Sequence, residues 1–191
     1  MTSLKPTPST VVVYHSGYGH TQRMAEAVAE GAGAALHAID AEGNLSDEGW
    51  AALDVADAII FGSPTYMGGP SWQFKKFADA SSKPWFSDKW RDKVFGGFTN
   101  SASLNGDKGS TLAYFVTLAS QHGGIWVSLG RLPANSKAAQ RNDLNNLGSS
   151  VGAMAQSPSD ASVAEMFPGD LENGRLYGER VAAVAARFAK A

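Results

Sequence analysis

The run Val11-Val12-Val13-Tyr14, followed at once by His15-Ser16-Gly17-Tyr18-Gly19-His20-Thr21, decides how the rest of this chain is read. Four consecutive β-branched or aromatic residues, without polar alternation, have the pattern of a strand buried on both faces of a parallel sheet. The segment behind it is short, polar and glycine-bearing. From Thr21 to about Ala32 the apolar residues Met24, Ala25, Val28 and Ala29 recur at helical spacing, with Gly31 and Gly33 near a stop. A buried strand, a tight turn and an amphipathic helix in that order are half of a βαβ unit.

The same alternation continues in both directions. Leu36 to Ile39 forms a short strand candidate, and Ser46-Asp47-Glu48 opens a helix through Leu53. Ala58-Ile59-Ile60-Phe61 is a second buried run, ended by Gly62-Ser63-Pro64. Trp72 to Ala80 reads as a helix with Phe74 and Phe77 on one face. Val94 to Phe98, Ile125 to Leu129 and two helices, Thr111 to Ser120 and Gly178 to Ala189, complete the pattern. Strands alternating with helices predict an α/β protein with a three-layer, flavodoxin-like fold: a five-stranded parallel sheet of order 2-1-3-4-5 with helices on both faces. A dinucleotide-binding domain is the competing topology. Residues 1–10 read as a disordered Pro/Ser/Thr arm, and residues 11–191 as one domain. The stretch Arg131 to Asp170 fits neither fold cleanly, and loops of that size are usually functional or disordered.

Composition narrows the function. A chain of 191 residues with 43% hydrophobic and 18% charged residues builds one core and is not disordered. Zero cysteines exclude disulfides, thiol catalysis and thiolate metal sites, and no metal site is expected. A formal net charge of -2 makes nucleic acid a poor partner. No apolar run is long enough to span a membrane and no secretory signal opens the chain, which predicts a soluble, cytoplasmic protein.

Three unusual segments follow the first, third and fourth strands, at the carboxyl edge where open parallel sheets bind ligands. Ser16-Gly17-Tyr18-Gly19-His20-Thr21 combines hydroxyls, glycines and a helix N-terminus into an anion cradle. It has no lysine, so the Walker pattern is missing, and Gln22 replaces the last glycine of the dinucleotide fingerprint. Pro64-Thr65-Tyr66-Met67-Gly68 suits one edge of a flat heteroaromatic ring. Asn100-Ser101-Ala102-Ser103-Leu104-Asn105-Gly106 can offer backbone amides to the ring's polar edge. Each alone equally fits an ordinary turn or a solvated loop; their shared position is the signal.

Ser16 to Thr21, Gly62 to Gly68 and Leu118-Ala119-Ser120-Gln121-His122-Gly123 resemble motifs of the WrbA-type NAD(P)H:quinone oxidoreductases, FMN proteins of the flavodoxin superfamily. The resemblance covers residues 11–190. It implies that Ser16, Gly17, Tyr18, Gly19, His20 and Thr21 hold the FMN phosphate. Pro64, Thr65, Tyr66, Met67 and Gly68, with Asn100, Ser101, Ala102, Ser103, Asn105 and Gly106, would border the isoalloxazine ring. It also implies a catalytic role for His122 beside the flavin. Tyr18 and Trp85 would lie at the substrate site, Trp85 often reaching it from a neighbouring subunit. Only Ala41 to Trp50 stands where the family carries a longer insertion that helps assemble tetramers, so of the two expected assemblies, homodimer or homotetramer, the dimer gains ground.

The activity so implied is hydride transfer from NADH or NADPH through FMN to a quinone-like acceptor. Three alternatives stay open: a non-catalytic electron carrier of the flavodoxin type, an FMN reductase that releases its flavin, and a flavin-free scaffold that keeps the fold. Arg131, Lys137 and Arg141 are candidate contacts to a nicotinamide 2′-phosphate, although solvated surface charge is the simpler reading.

Overall fold

A computed structural model of the chain describes residues 8–188. The helices and strands run β1 (Thr10–Tyr14), α1 (His20–Ala32), β2 (Ala35–Ala38), α2 (Asp47–Val55), β3 (Ala58–Tyr66) and β4 (Gly69–Pro70). They continue with α3 (Trp72–Ala80), α4 (Ser82–Phe86), β5 (Val94–Ser101), α5 (Lys108–Gln121), β6 (Ile125–Trp126), β7 (Ala153–Gln156) and α6 (Pro168–Phe188). Most of the expected arm, residues 1–7, lies outside the described residues. Thr10 belongs to the sheet rather than to an arm, since it starts β1, and just ahead of it the Ser9 amide donates to Asp57 Oδ2 at 2.8 Å.

The sheet order is β2-β1-β3-β5-β6, with β1, β2, β3, β5 and β6 all parallel. This is the expected 2-1-3-4-5 path. The chain begins at β1, steps outward to β2, then returns past β1 to β3. The order therefore reverses between β1 and β3, which places the switch-point crevice at their carboxyl ends. Alternation along the central strands feeds two cores. Val12, Ile60 and Phe98 face α1 and α6; Val11, Val13, Ile59, Phe61 and Phe95 meet Leu53, Phe74, Phe77, Trp90 and Phe115 on the other side. Helices α1 and α6 pack backbone to backbone, because a Cβ on Gly178 would lie 2.0 Å from the Val28 carbonyl oxygen.

The described residues form seven strands rather than five, for two reasons. β4 is the short return of a hairpin from β3. The fifth strand position is divided: β6 pairs Val94 and Phe95 at the start of β5, while β7 pairs Phe98 to Ser101 at its end. Residues 127–152 leave the sheet between them. That excursion explains the stretch that fitted neither topology. It is tied down by Asn145, whose side chain bonds Arg131 O, Ser149 O and Ser149 N, and by Arg141, which grips buried Asp170 at 2.8 and 2.6 Å. Arg141 also covers the Phe167 ring. Its guanidinium is therefore part of a structural ion pair, neither a free phosphate contact nor a solvated charge.

Candidate functional site

The carboxyl ends of β1, β3 and β5 open into a cavity of about 710 Å³, within the usual range for small-molecule sites. The first wall is the β1–α1 turn. Gly19 holds φ at 88°, and the hydroxyl of Ser16 accepts a bond from its amide at 3.0 Å. No side chain caps α1. The first intrahelical bond is Arg23 N to Gly19 O, so the amides of His20, Thr21 and Gln22 lie ahead of the hydrogen-bonded helix. The helix dipole adds positive potential at the same point. Space here is reserved by glycine: a Cβ on Gly19 would lie 2.9 Å from Val163 Cγ2, and one on Gly17 would lie 2.7 Å from Tyr66 Oη. An uncharged cradle of this kind fits a phosphomonoester.

The second and third walls differ from the loops expected. β3 runs on through Ser63, Pro64, Thr65 and Tyr66, and β5 through Thr99, Asn100 and Ser101. Pro64 is tolerated because β1 pairs with β3 only as far as Gly62, leaving that edge without a partner strand. What remains of the second loop is Met67-Gly68, with φ of 48° and 78°, a two-residue hairpin turn with both central residues left-handed. Thr65 is held from below, its hydroxyl 2.8 Å from those of both Thr99 and Thr111. Tyr18 and Tyr66 meet edge to face at the rim, their centroids 6.4 Å apart.

A fourth wall was not anticipated. Residues 157–163, between β7 and α6, close the cavity through Ser157, Pro158, Ser159, Ala161, Ser162 and Val163. Thr21 Oγ1 donates to Asn100 Oδ1, and Asn100 Nδ2 donates to Ser157 Oγ at 2.8 Å, so one buried relay links α1, β5 and this segment. His20 Nε2 carries its proton and donates to Ala161 O at 3.0 Å. The only signal for the segment in the sequence is its small polar run, Ser157-Pro158-Ser159-Asp160-Ala161-Ser162, ahead of a helix.

Of the expected cofactor contacts, Tyr18, His20, Thr21, Thr65, Tyr66, Asn100, Ser101 and Ala102 line this cavity. Met67, Gly68, Ser103 and Gly106 line an adjoining one of about 460 Å³, which shares Thr65, Ser101 and Ala102 with it. Ser16, Gly17 and Gly19 shape the turn, buried Pro64 lies within β3, and Asn105 lies in the turn before α5.

His122 and Trp85 are not brought to this cavity within the chain. His122 caps the far end of α5, which runs back from the carboxyl edge for 14 residues, roughly 20 Å. There Ser81 donates to Ala78 O at 2.6 Å, so the bond between Ser81 Oγ and His122 Nε2 at 2.9 Å places the imidazole proton on Nε2. Nδ1 is buried without a partner among the described residues. The ring packs on Trp90 with centroids 4.4 Å apart, and burial pushes its pKa down to about 4. Trp85 joins it, donating from Nε1 to Gln121 O at 3.0 Å. The pair borders a separate shallow cavity of about 420 Å³ with Phe86 and Arg91.

Comparison with known proteins fits this geometry. Residues 11–138 match the family described as NADPH-dependent FMN reductase. Flavodoxin FldP of Pseudomonas aeruginosa (strain UCBPP-PA14) is 63% identical over 174 residues, 91% of this chain and 95% of its own. An NAD(P)H dehydrogenase (quinone) of Geotalea uraniireducens (strain Rf4) is 34% identical over 207 residues, 94% of this chain and 98% of its own. The crystal structure of the flavodoxin, WrbA-like protein from Agrobacterium tumefaciens superposes with a TM-score of 0.80 at 69% identity, covering 96% of this chain and 99% of that one. The chain belongs to the NADPH-dependent FMN reductase family, as a WrbA-type member of the flavodoxin superfamily.

Proposed function

We propose that this chain binds FMN in the β1/β3 crevice and serves as an electron-transfer flavoprotein of the flavodoxin type. The observation that carries this reading is the separation of His122 and Trp85 from a cavity otherwise built for a flavin. Each chain then holds a flavin cradle with Tyr18 at its rim but lacks His122 and Trp85 at that cradle. Flavodoxin FldP, 63% identical, favours the same conclusion.

In this reading the amides of the β1–α1 turn and the hydroxyl of Ser16 bind the phosphate. Thr21, Asn100 and Ser157 hold the cavity's walls at fixed spacing, so little order has to be imposed when the ligand enters. Thr65, the Met67-Gly68 turn and the 101–106 segment bind the ring, while Tyr18 and Tyr66 shield it from water. The bound flavin supplies the redox chemistry.

A second reading, NAD(P)H:quinone oxidoreductase, has specific support. Phe86 is 82% exposed and Trp85 40% exposed, and both line one cavity with His122, whose buried Nδ1 has no partner among the described residues. A neighbouring copy could bring this group to the flavin of the first, and the 34% identical relative is named for that activity. Anaerobic mixing separates the two. The carrier is not bleached by NADH or NADPH alone within minutes, but is bleached when a flavoprotein reductase is added. Direct bleaching by nicotinamide, recovery with benzoquinone, and loss of both in Trp85→Ala would establish the enzyme instead.

A further inference from the structure

The third-loop segment is anchored by a residue that neither reading uses. Lys108, the first residue of α5, is 1% exposed, although lysine is almost never fully buried without a charged partner. Its ammonium donates to Ser101 Oγ at 3.0 Å, Ser103 O at 2.8 Å and Leu104 O at 2.9 Å. All three acceptors are neutral. Among the described residues no carboxylate lies within ion-pair distance of it. The charged groups that face it are Asp170 of α6 and Arg141 of the 127–152 excursion, with Asp107 adjacent on the cap of its own helix. Asp170 is already engaged twice by Arg141 and once by the amide of Gln156. The cluster therefore keeps an uncompensated positive charge directly behind Ser101 and Ser103, which line the cavity assigned to the ring.

A buried cation bonded only to neutral groups is costly, and its field is weakly screened. It is repaid when a negative charge appears nearby. We propose that Lys108 is a positioning residue that makes this site favour anionic, two-electron-reduced FMN over oxidised FMN. It does so by fixing the 101–106 segment against the ring and by placing its charge behind that segment. The inference rests on the flavin site proposed above. Two electrons and one proton convert neutral oxidised isoalloxazine into its singly anionic reduced form, so the ring gains one negative charge. The electrons come from dithionite in the experiment below.

The test measures dissociation constants of oxidised and dithionite-reduced FMN for wild type, Lys108→Arg, Lys108→Gln and Lys108→Met. Removing the charge in the Gln and Met variants is expected to lower the preference for reduced FMN about tenfold, a fall of about 30 mV in the two-electron midpoint potential. Lys108→Arg keeps the charge and stays within about twofold of wild type. A residue that merely braced the loop would weaken both redox states alike. An unchanged ratio in Gln and Met variants that still bind FMN overturns the inference and leaves the flavin site standing. Wild-type protein that binds no FMN overturns both. Should the variants not fold, the wild type carries the test. Burial lowers the Lys108 pKa to about 8, so its preference for reduced FMN should decline as pH rises through that value. A preference that is flat through that range overturns the inference.

Discussion

At His122, burial and hydrogen bonding fix both the charge and the tautomer of a side chain for which the family resemblance implies a catalytic role. Its pKa of about 4, lowered by desolvation, means that the folded protein holds it neutral where the unfolded chain, near 6.5, takes up a proton. The resulting stability is fully present above pH 6.5 and is lost as pH falls toward 4, on the order of 2–3 kcal/mol. Urea unfolding at pH 7 and pH 4.5 checks this, with His122→Phe expected to flatten that part of the profile; an unchanged profile would remove His122 as its source. The motif Ser120-Gln121-His122-Gly123 was legible as a motif, but its place was not read. A helix that follows a parallel strand must run back along the sheet, so its last residues arrive at the edge opposite the crevice. Lys108 escaped for a related reason. The helical pattern was visible only from Thr111, because Gly106, Asp107, Lys108 and Gly109 carry no apolar periodicity.

Among the elements, the sequence reads best where burial dictates residue type. The cores of β1, β3 and β5 and the helices α1 and α3 follow directly from apolar runs and helical spacing. Strand ends do not, because their pairing depends on neighbours: β3 extends to Tyr66 and β5 to Ser101 through residues whose composition suggests loops. The same misreading hid the hairpin at Met67-Gly68. Met67 sits left-handed at φ 48° with its side chain fully exposed, a conformation costing a non-glycine residue roughly 1–2 kcal/mol. Such strain at a site wall is typical of functional turns. Met67→Asn supplies the Asn-Gly pair this turn prefers. The FMN-free protein is expected to gain about 1 kcal/mol, a rise in Tm of roughly 2–4 °C, measured by thermal unfolding. A Tm that stays level or falls would show that Met67 is not strained in solution.

For the whole molecule, strand order and the position of the crevice were legible because one buried strand, one polar turn and one helix fix the handedness of everything that follows. Division of the fifth strand was not. β6 has two residues and β7 four, too short to leave a pattern, and the residues between them read as an unassigned loop. That division has a consequence for the site, since it is β7 that delivers residues 157–163 to close the cavity. The central claim is that an uncharged cradle at the start of α1 reads the phosphate of a flavin mononucleotide. Fluorescence titration of flavin-free protein with FMN, and in parallel with riboflavin, addresses it most directly. One FMN per chain is expected, with riboflavin at least tenfold weaker. Ser159→Glu, which adds a carboxylate to an exposed position on the cavity wall, should narrow that gap by repelling the phosphate. Equal affinity for the two flavins, or no quenching by either, would contradict the account.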